Sequence, residues 1–371
     1  FEEHNTSRLV AETLEEFGIE MKKEVAKTGV VGLLRTGREG PTLGIRADMD
    51  ALPIEEENET PYKSRQKGKM HACGHDAHTT MLLGAARVLA MNPNLLEGLG
   101  GNVKFLFQPG EEGFAGGRVM VEEGVMDNPP VDMVIAGHIN PHIQVGGIGT
   151  RSGPTLAAAD KFTITLRGAG SHAAHPDLSR DPVLAAAHLV AALQGIASRN
   201  VDPFDSVVVS VTCVNAGSAF NIIPEEAIMQ GTVRTIRAET RDLVIARMEE
   251  TIRGIATAFR IEAKLDFVEG YPPLVNNPNA TRLIQDAARE VLGEEKIQEY
   301  PPSMGAEDFA YMVNARPGAM FRVGGRNEAR GIVHGIHTSR FDLDEDALTV
   351  GVSVFVQVAR EFLAKPERYT T

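Results

Sequence analysis

Two spacings of apolar residues divide the chain. Leu9, Val10, Leu14 and Phe17 recur at helical intervals between Asn5 and Phe17, and a second helical stretch runs from about Ala77 to Ala90. Between and beyond them, TLGIRA (42–47), VKFLF (103–107) and VDMVIAG (131–137) are short, nearly all-apolar runs. Runs of that kind suit strands of a sheet covered on both faces. The middle of the chain reads differently. DKFTITLRG (160–168) alternates apolar and polar residues, and SVVVSVTCV (206–214), EAIMQGTVRTIRA (226–238) and IEAKLDFVE (261–269) also read as strands. Helices are predicted over 181–199, with Pro182 in the first turn, and over 239–260. The order β-α-β-β-α-β is the split, ferredoxin-like pattern. The first pattern then resumes, with helices at 280–292 and from about Asp344 to Ala364 and a strand at 319–325.

These elements predict an α/β fold with a mixed sheet. Its larger domain is discontinuous, residues 1–157 plus 270–371, and a smaller α+β domain is inserted at 158–269. An antiparallel sheet of that kind leaves an edge free, so a homodimer through the inserted domain is expected.

Composition narrows the function. The 371 residues are 43 % hydrophobic and 23 % charged, the balance of a soluble globular chain. The net charge is −13 with no basic stripe, which argues against a nucleic-acid partner. No apolar run was expected to reach the length of about 18 residues that a membrane span needs, so no membrane partner is expected. Two cysteines make no disulfide framework, and a reducing, cytoplasmic compartment follows. Cys213 is expected to be a buried, inert thiol of its strand. The opening FEEHNTS lacks Met and starts within a helical pattern, so a preceding segment is expected to be missing.

The chemistry gathers where apolar runs end. TLGIRA runs into Asp48 and Asp50, VKFLF into QPGEEG with Glu111 and Glu112, and VDMVIAG into His138. In open parallel sheets, ligands collect beyond such ends. HACGHDAH (71–78) adds Cys73 and His75, two residues apart in a glycine-containing loop. Thiolate and imidazole are good ligands for zinc-like ions, but a buried Cys before a helix capped by Asp76 would look the same. His138 reads equally well as a ligand or as a satisfied structural residue. The two adjacent glutamates repel unless cations compensate them. The acidic residues after HTSRF are explained by capping of the last helix; His337 is not. In the inserted domain, His172 lies in the loop GAGSHAAHP, Asn221 in AFNIIPEE, and Arg234 alternates with apolar neighbours on a strand.

Nine motifs occur in order along essentially the whole chain: RADMDALP, MHACGHDAHT, FQPGEEG, GHINP, GSHAAHP, NIIPE, GTVRT, MGAEDFAYM and HTSRFDLDEDAL. With them, the chain resembles the metal-dependent amidohydrolases of the aminoacylase/carboxypeptidase superfamily. Within it, the chain looks like the subfamily of hippurate hydrolases, N-acyl-amino-acid amidohydrolases and plant auxin-conjugate hydrolases. The resemblance implies a di-metal aminopeptidase-like catalytic domain with a lid and dimerisation domain. It implies two divalent ions per subunit, zinc or manganese, with cobalt or nickel as alternatives. Cys73, His75, Glu112, His138 and His337 would be the ligands, Glu111 the general base, and Asp50 the residue that orients a ligand. The histidine usual two residues before that aspartate is Asp48 here. His172 would polarise the substrate carbonyl, often from the partner subunit, and Asn221 and Arg234 would hold the substrate carboxylate. The substrate would be an N-acyl amino acid or a dipeptide, hydrolysed at its amide. A carboxypeptidase, dipeptidase or N-acetyl-diaminopimelate deacetylase of the same superfamily, or an inactive metal-binding protein, remain the rival readings.

Overall fold

The computed structural model describes residues 1–370. The chain forms two compact units. The first comprises Phe1–Gly153, Val275–Pro301 and the chain from Asp308 onward; the second comprises Pro154–Leu274 and Pro302–Glu307. Pro302–Glu307 joins the second unit through backbone bonds, Ser303 N to Thr155 O at 3.0 Å and Ala157 N to Gly305 O at 2.8 Å.

The first unit is built on an eight-stranded mixed sheet. Its strands include β1 (Glu20–Val25), β2 (Gly29–Arg35), β3 (Thr42–Asp48), β4 (Asn102–Gln108), β5 (Met133–Gln144) and β6 (Ile148–Thr150). The order is β1-β2-β4-β3-β5, then Gly318–Arg326, β6 and Ile297–Glu299. β3 is parallel to both β4 and β5 and is buried at all seven positions. Alternation along it sends Leu43, Ile45 and Ala47 into the main core, where they meet Phe105, Phe107, Leu82 and Val354. That core includes helix α1 (His4–Glu16), α2 (His75–Met91), Pro278–Leu292 and Asp346–Ala364. Arg46 takes an intervening position on β3 and Gln108 ends β4, and both are fully buried too.

The second unit is a four-stranded antiparallel sheet, ordered Val207–Ala216, Glu226–Thr235, Ala159–Arg167, Glu262–Tyr271. Its β-α-β-β-α-β succession uses the helices Pro182–Arg199 and Ala238–Phe259. Asp181 caps the first of these, accepting from the amides of Val183 and Leu184. Phe162, Ile164, Leu166, Leu189, Leu193, Val233 and Met248 form its separate core.

Several expectations need correction. Cys213 is exposed, because the strand Val207–Ala216 lies at the sheet edge and its last five residues emerge into solvent. His138 and His142 lie within β5, which runs to Gln144 and does not stop at Gly137; parallel pairing with Gly318–Arg326 carries it on. β1 left little trace in the sequence, since it is largely exposed and polar (EMKKEV), whereas the apolar β2 (GVVGLLR) was simply passed over. One helix, Asp346–Ala364, is long and apolar enough by length and composition to cross a membrane. It packs against α2, Pro278–Leu292 and the strand Gly318–Arg326, with 56 % of its apolar window buried in the protein.

Phe105 sits fully buried at the centre of this core. Phe105→Ala should destabilise the chain by about 3–5 kcal/mol. Urea unfolding followed by far-UV circular dichroism measures this, and no shift in the midpoint would contradict the packing.

Candidate metal centre

Strand register brings the polar residues to one level. Asp48 pairs with Gln108 across β3 and β4, and Arg46 pairs with Ala136 across β3 and β5. The ends of β3 and β4 therefore lead to Asp50 and Glu111 at one rim, and the middle of β5 carries His138 at the level of Asp48.

Two glycine turns aim the remaining groups. Gly74 precedes α2 in the left-handed region, with φ 83°, and a Cβ there would lie 3.2 Å from Ile139 Cβ. Only glycine fits without strain, and the turn presents Cys73 on one side and His75 as the first residue of the helix. Asp76 is thus not the N-cap; it sits one residue inside the helix, its Oδ1 accepting from Ala77 N at 2.9 Å. At the end of β4, Gly116 closes the turn that carries Glu111 and Glu112: a Cβ would stand 1.7 Å from the Pro109 carbonyl oxygen.

Five predicted ligands converge. Cys73 Sγ is 3.6 Å from His138 Nε2, and His337 Nε2 is 3.1 Å from Glu112 Oε1. Cys73, His75 and His138 offer ligand atoms within 4.8 Å of one another; so do Cys73, Glu112 and His337, and so do His75, Glu111 and Glu112. Cys73 belongs to the first two groups and His75 to the first and third. Asp50 ties the set together: its Oδ2 accepts from Glu112 N at 2.9 Å, and its backbone oxygen lies 3.0 Å from His75 Nδ1.

The hydrogen bonds leave the inner ring nitrogens bare. His138 Nδ1 faces the Ile139 carbonyl at 2.7 Å, which assigns the proton to Nδ1 and leaves Nε2 toward Cys73. His75 Nε2 is buried without a hydrogen-bond partner, and Glu112 Oε1 is buried against His337 alone. Burying such atoms unsatisfied is costly, and a cation between them removes the cost. Mixed thiolate, imidazole and carboxylate donors at this spacing fit divalent transition metals.

Comparison with known proteins agrees with this chemistry. The pattern of Peptidase family M20/M25/M40 matches residues 44–361. The chain belongs to that family. It is 38 % identical over 370 residues to thermostable carboxypeptidase 1 of Saccharolobus solfataricus, covering 98 % of this chain and 92 % of that one. It is 39 % identical over 366 residues to the N-acetyl-L-cysteine deacetylase of Bacillus subtilis, covering 99 % and 85 %. A Bacillus subtilis crystal structure described as a dinuclear metal-binding peptidase of the same family superposes with a TM-score of 0.85, at 34 % identity over 98 % of this chain and 93 % of that one. As an M20/M25/M40 member the chain is an enzyme that hydrolyses amide bonds and binds metal.

Without ions, the charges of this M20/M25/M40 site hold protons on the ligands. Burial pushes the His75 imidazole down, but Asp48, Cys73 and Asp50 outweigh it and raise it well above the usual range. His337 is pushed up to about 10 by hydrogen bonds to Cys73 and Glu112. Burial, with His78 and Arg322 alongside, holds His138 well below the ordinary value.

The residues expected to touch substrate lie in the second unit. His172 pairs with Ile222 in a two-stranded ribbon, and Ala173 N donates to the Asn221 carbonyl at 2.9 Å, so His172 and Asn221 are neighbours. Arg234 is not with them. It lies eight residues beyond Glu226 along one straight strand, roughly 26 Å away at the rise of a β-strand. Its guanidinium donates to Thr232 Oγ1 and to the Val233 carbonyl.

Sequence reasoning passed over His78. Its Nδ1 donates to Asp48 Oδ1 at 2.5 Å and its Nε2 accepts from Ile139 N at 2.8 Å, so both nitrogens are occupied and it serves as a strut. The signal was its position three residues after His75 on one helix face, beside the Asp48 that departs from the family pattern. Arg46, Gln108 and Asp308, buried against that strut, were also missed because they lie far apart in sequence.

Because ion and proton compete for His337 and His75, apparent metal affinity should strengthen as pH rises through neutrality toward about 10, with proton release on loading. Competition against a chromogenic chelator at several pH values checks this. A pH-independent constant would contradict it.

Proposed function

We propose that the chain hydrolyses the amide bond of an N-acyl amino acid, releasing a carboxylic acid and a free amino acid. The observation that carries the reading is Glu111: a buried carboxylate not needed to complete either Cys73-containing ligand group, placed within 4.8 Å of His75 and Glu112. The similar carboxypeptidase and N-acetylcysteine deacetylase support it together. The last residue of a peptide is itself an N-acylated amino acid with a free carboxylate, so both names describe one substrate shape.

Two divalent ions would be held by Cys73, His75, Glu112, His138 and His337, zinc or manganese being favoured by the donor set. When bound, such ions acidify water and polarise a carbonyl. Glu111 accepts the proton of the attacking water and returns it to the leaving nitrogen. Asp50 orients His75 and, through Glu112 N, the turn beside Glu111. His172 donates to the developing oxyanion. Arg234 binds the free carboxylate as a fork and Asn221 contributes a polar contact. A cavity of about 710 Å³ beside Asp50 mixes apolar lining (Leu52, Met70, Phe114) with charged residues (Glu2, Glu3, Lys69) and offers room for the acyl part of a substrate. The inserted unit acts as lid and dimerisation domain. The distance between His172 and Arg234 supports a site that takes one of them from each subunit of a homodimer. Free Cys73 and Cys213 support a cytoplasmic location.

Glu111→Gln should keep both ions and lose about 10²–10⁴-fold in kcat on acyl amino acids. Metal analysis alongside turnover checks it; near-normal turnover would sink the assignment. If His172 acts across the dimer, co-expressed Glu111→Gln and His172→Ala chains, each inactive alone, should recover about a quarter of normal activity as mixed dimers. No recovery in a verified mixed dimer would place His172 with its own subunit's site.

A further inference from the structure

The rim that carries Glu111 is braced from below by a buried polar network. Arg46, 1 % exposed, donates from Nη1 to Asp48 Oδ2 at 2.8 Å, from Nη2 to Asp308 Oδ1 at 3.0 Å, and from Nε to Gln108 Oε1 at 2.8 Å. Asp308 is fully buried and also accepts from Gln108 Nε2, at 2.7 and 2.9 Å, and from Gly117 N at 2.8 Å. Its carboxylate thus pins the two ends of the turn 109–116, one at Gln108 and one at Gly117. Its backbone amide donates to Glu111 Oε1 at 3.4 Å, inside that same turn.

We propose that Asp308 is a positioning residue for Glu111: gripped by Arg46, Gln108 and Gly117, it holds the turn and directs one oxygen of the base. The inference rests on Glu111 being the base. Asp308 is not among the residues expected to hold metal or to touch substrate, and one of its carboxylate oxygens lies within 4.8 Å of one of Glu111. Its effect therefore passes through the placement of Glu111, where an error of a fraction of an ångström is expensive.

The test is Asp308→Asn, which keeps shape and backbone amide but removes the charge that Arg46 and Gln108 grip. The expected result is a kcat lowered about 10- to 100-fold with KM, metal content and melting temperature close to normal. A kcat within about twofold of normal overturns the proposal. Should Asp308→Asn fail to fold, Gln108→Met loosens the same carboxylate while keeping both charges and is read in the same way. In a Glu111→Gln background, Asp308→Asn should cost nothing further; a full additional loss means that it acts elsewhere and overturns the proposal. A normal Asp308→Asn beside an inactive Glu111→Gln sinks the positioning role alone. An active Glu111→Gln sinks the base assignment and the positioning role with it.

Discussion

The Arg46 guanidinium is the constraint on which the site depends. It is buried on the central strand of the parallel region. A buried charge without partners would cost several kcal/mol, so the chain must bring carboxylates and amides to it. They arrive from three places: Asp48 two residues on, Gln108 from the neighbouring strand, and Asp308 from far along the sequence. Such an ionic cluster contributes little net stability compared with well-packed apolar residues. Its value is geometric. It forbids β3, the turn after β4 and the segment at 308 from drifting relative to one another.

From Asp48 the constraint continues to the ligands. Asp48 fixes His78, and His78 accepts from the amide of Ile139, next to His138. Asp50, two residues further, orients His75 and receives the amide of Glu112. The ligand atoms are thus set by hydrogen bonds to backbone and carboxylate, with their inner lone pairs turned toward one another. That arrangement is unfavourable without a cation, and the neighbouring acidic groups raise His75 and His337 above the ordinary imidazole range. The fold gathers an electrostatic demand at the rim of its sheet of the kind that a bound cation satisfies.

Much of this was legible in the residues. Helical and all-apolar periodicities located most of the elements, because burial on one face or two leaves spacings of 3.6 residues or continuous runs. β1 escaped since an exposed edge strand needs no apolar pattern, and His138 was placed after its strand because Pro141 in GHINPH reads as a break. Candidate chemistry was visible because imidazole and carboxylate side chains follow several apolar runs, and the family resemblance implied which of them would be ligands.

What the sequence determined by itself was therefore local: which segments are strands or helices, and which residues have chemistry to offer. Tertiary structure decided what no local pattern encodes. Sheet register set Asp48 level with Gln108, and long-range folding set Asp308 beneath Glu111, because contacts between residues some 200 positions apart leave no periodic trace. It also set Arg234 at the far end of its strand from Glu226, away from the ribbon that holds His172 beside Asn221, since the rise of extended backbone turns sequence distance directly into ångströms. Motifs name the participants; only the packed chain determines which of them can meet.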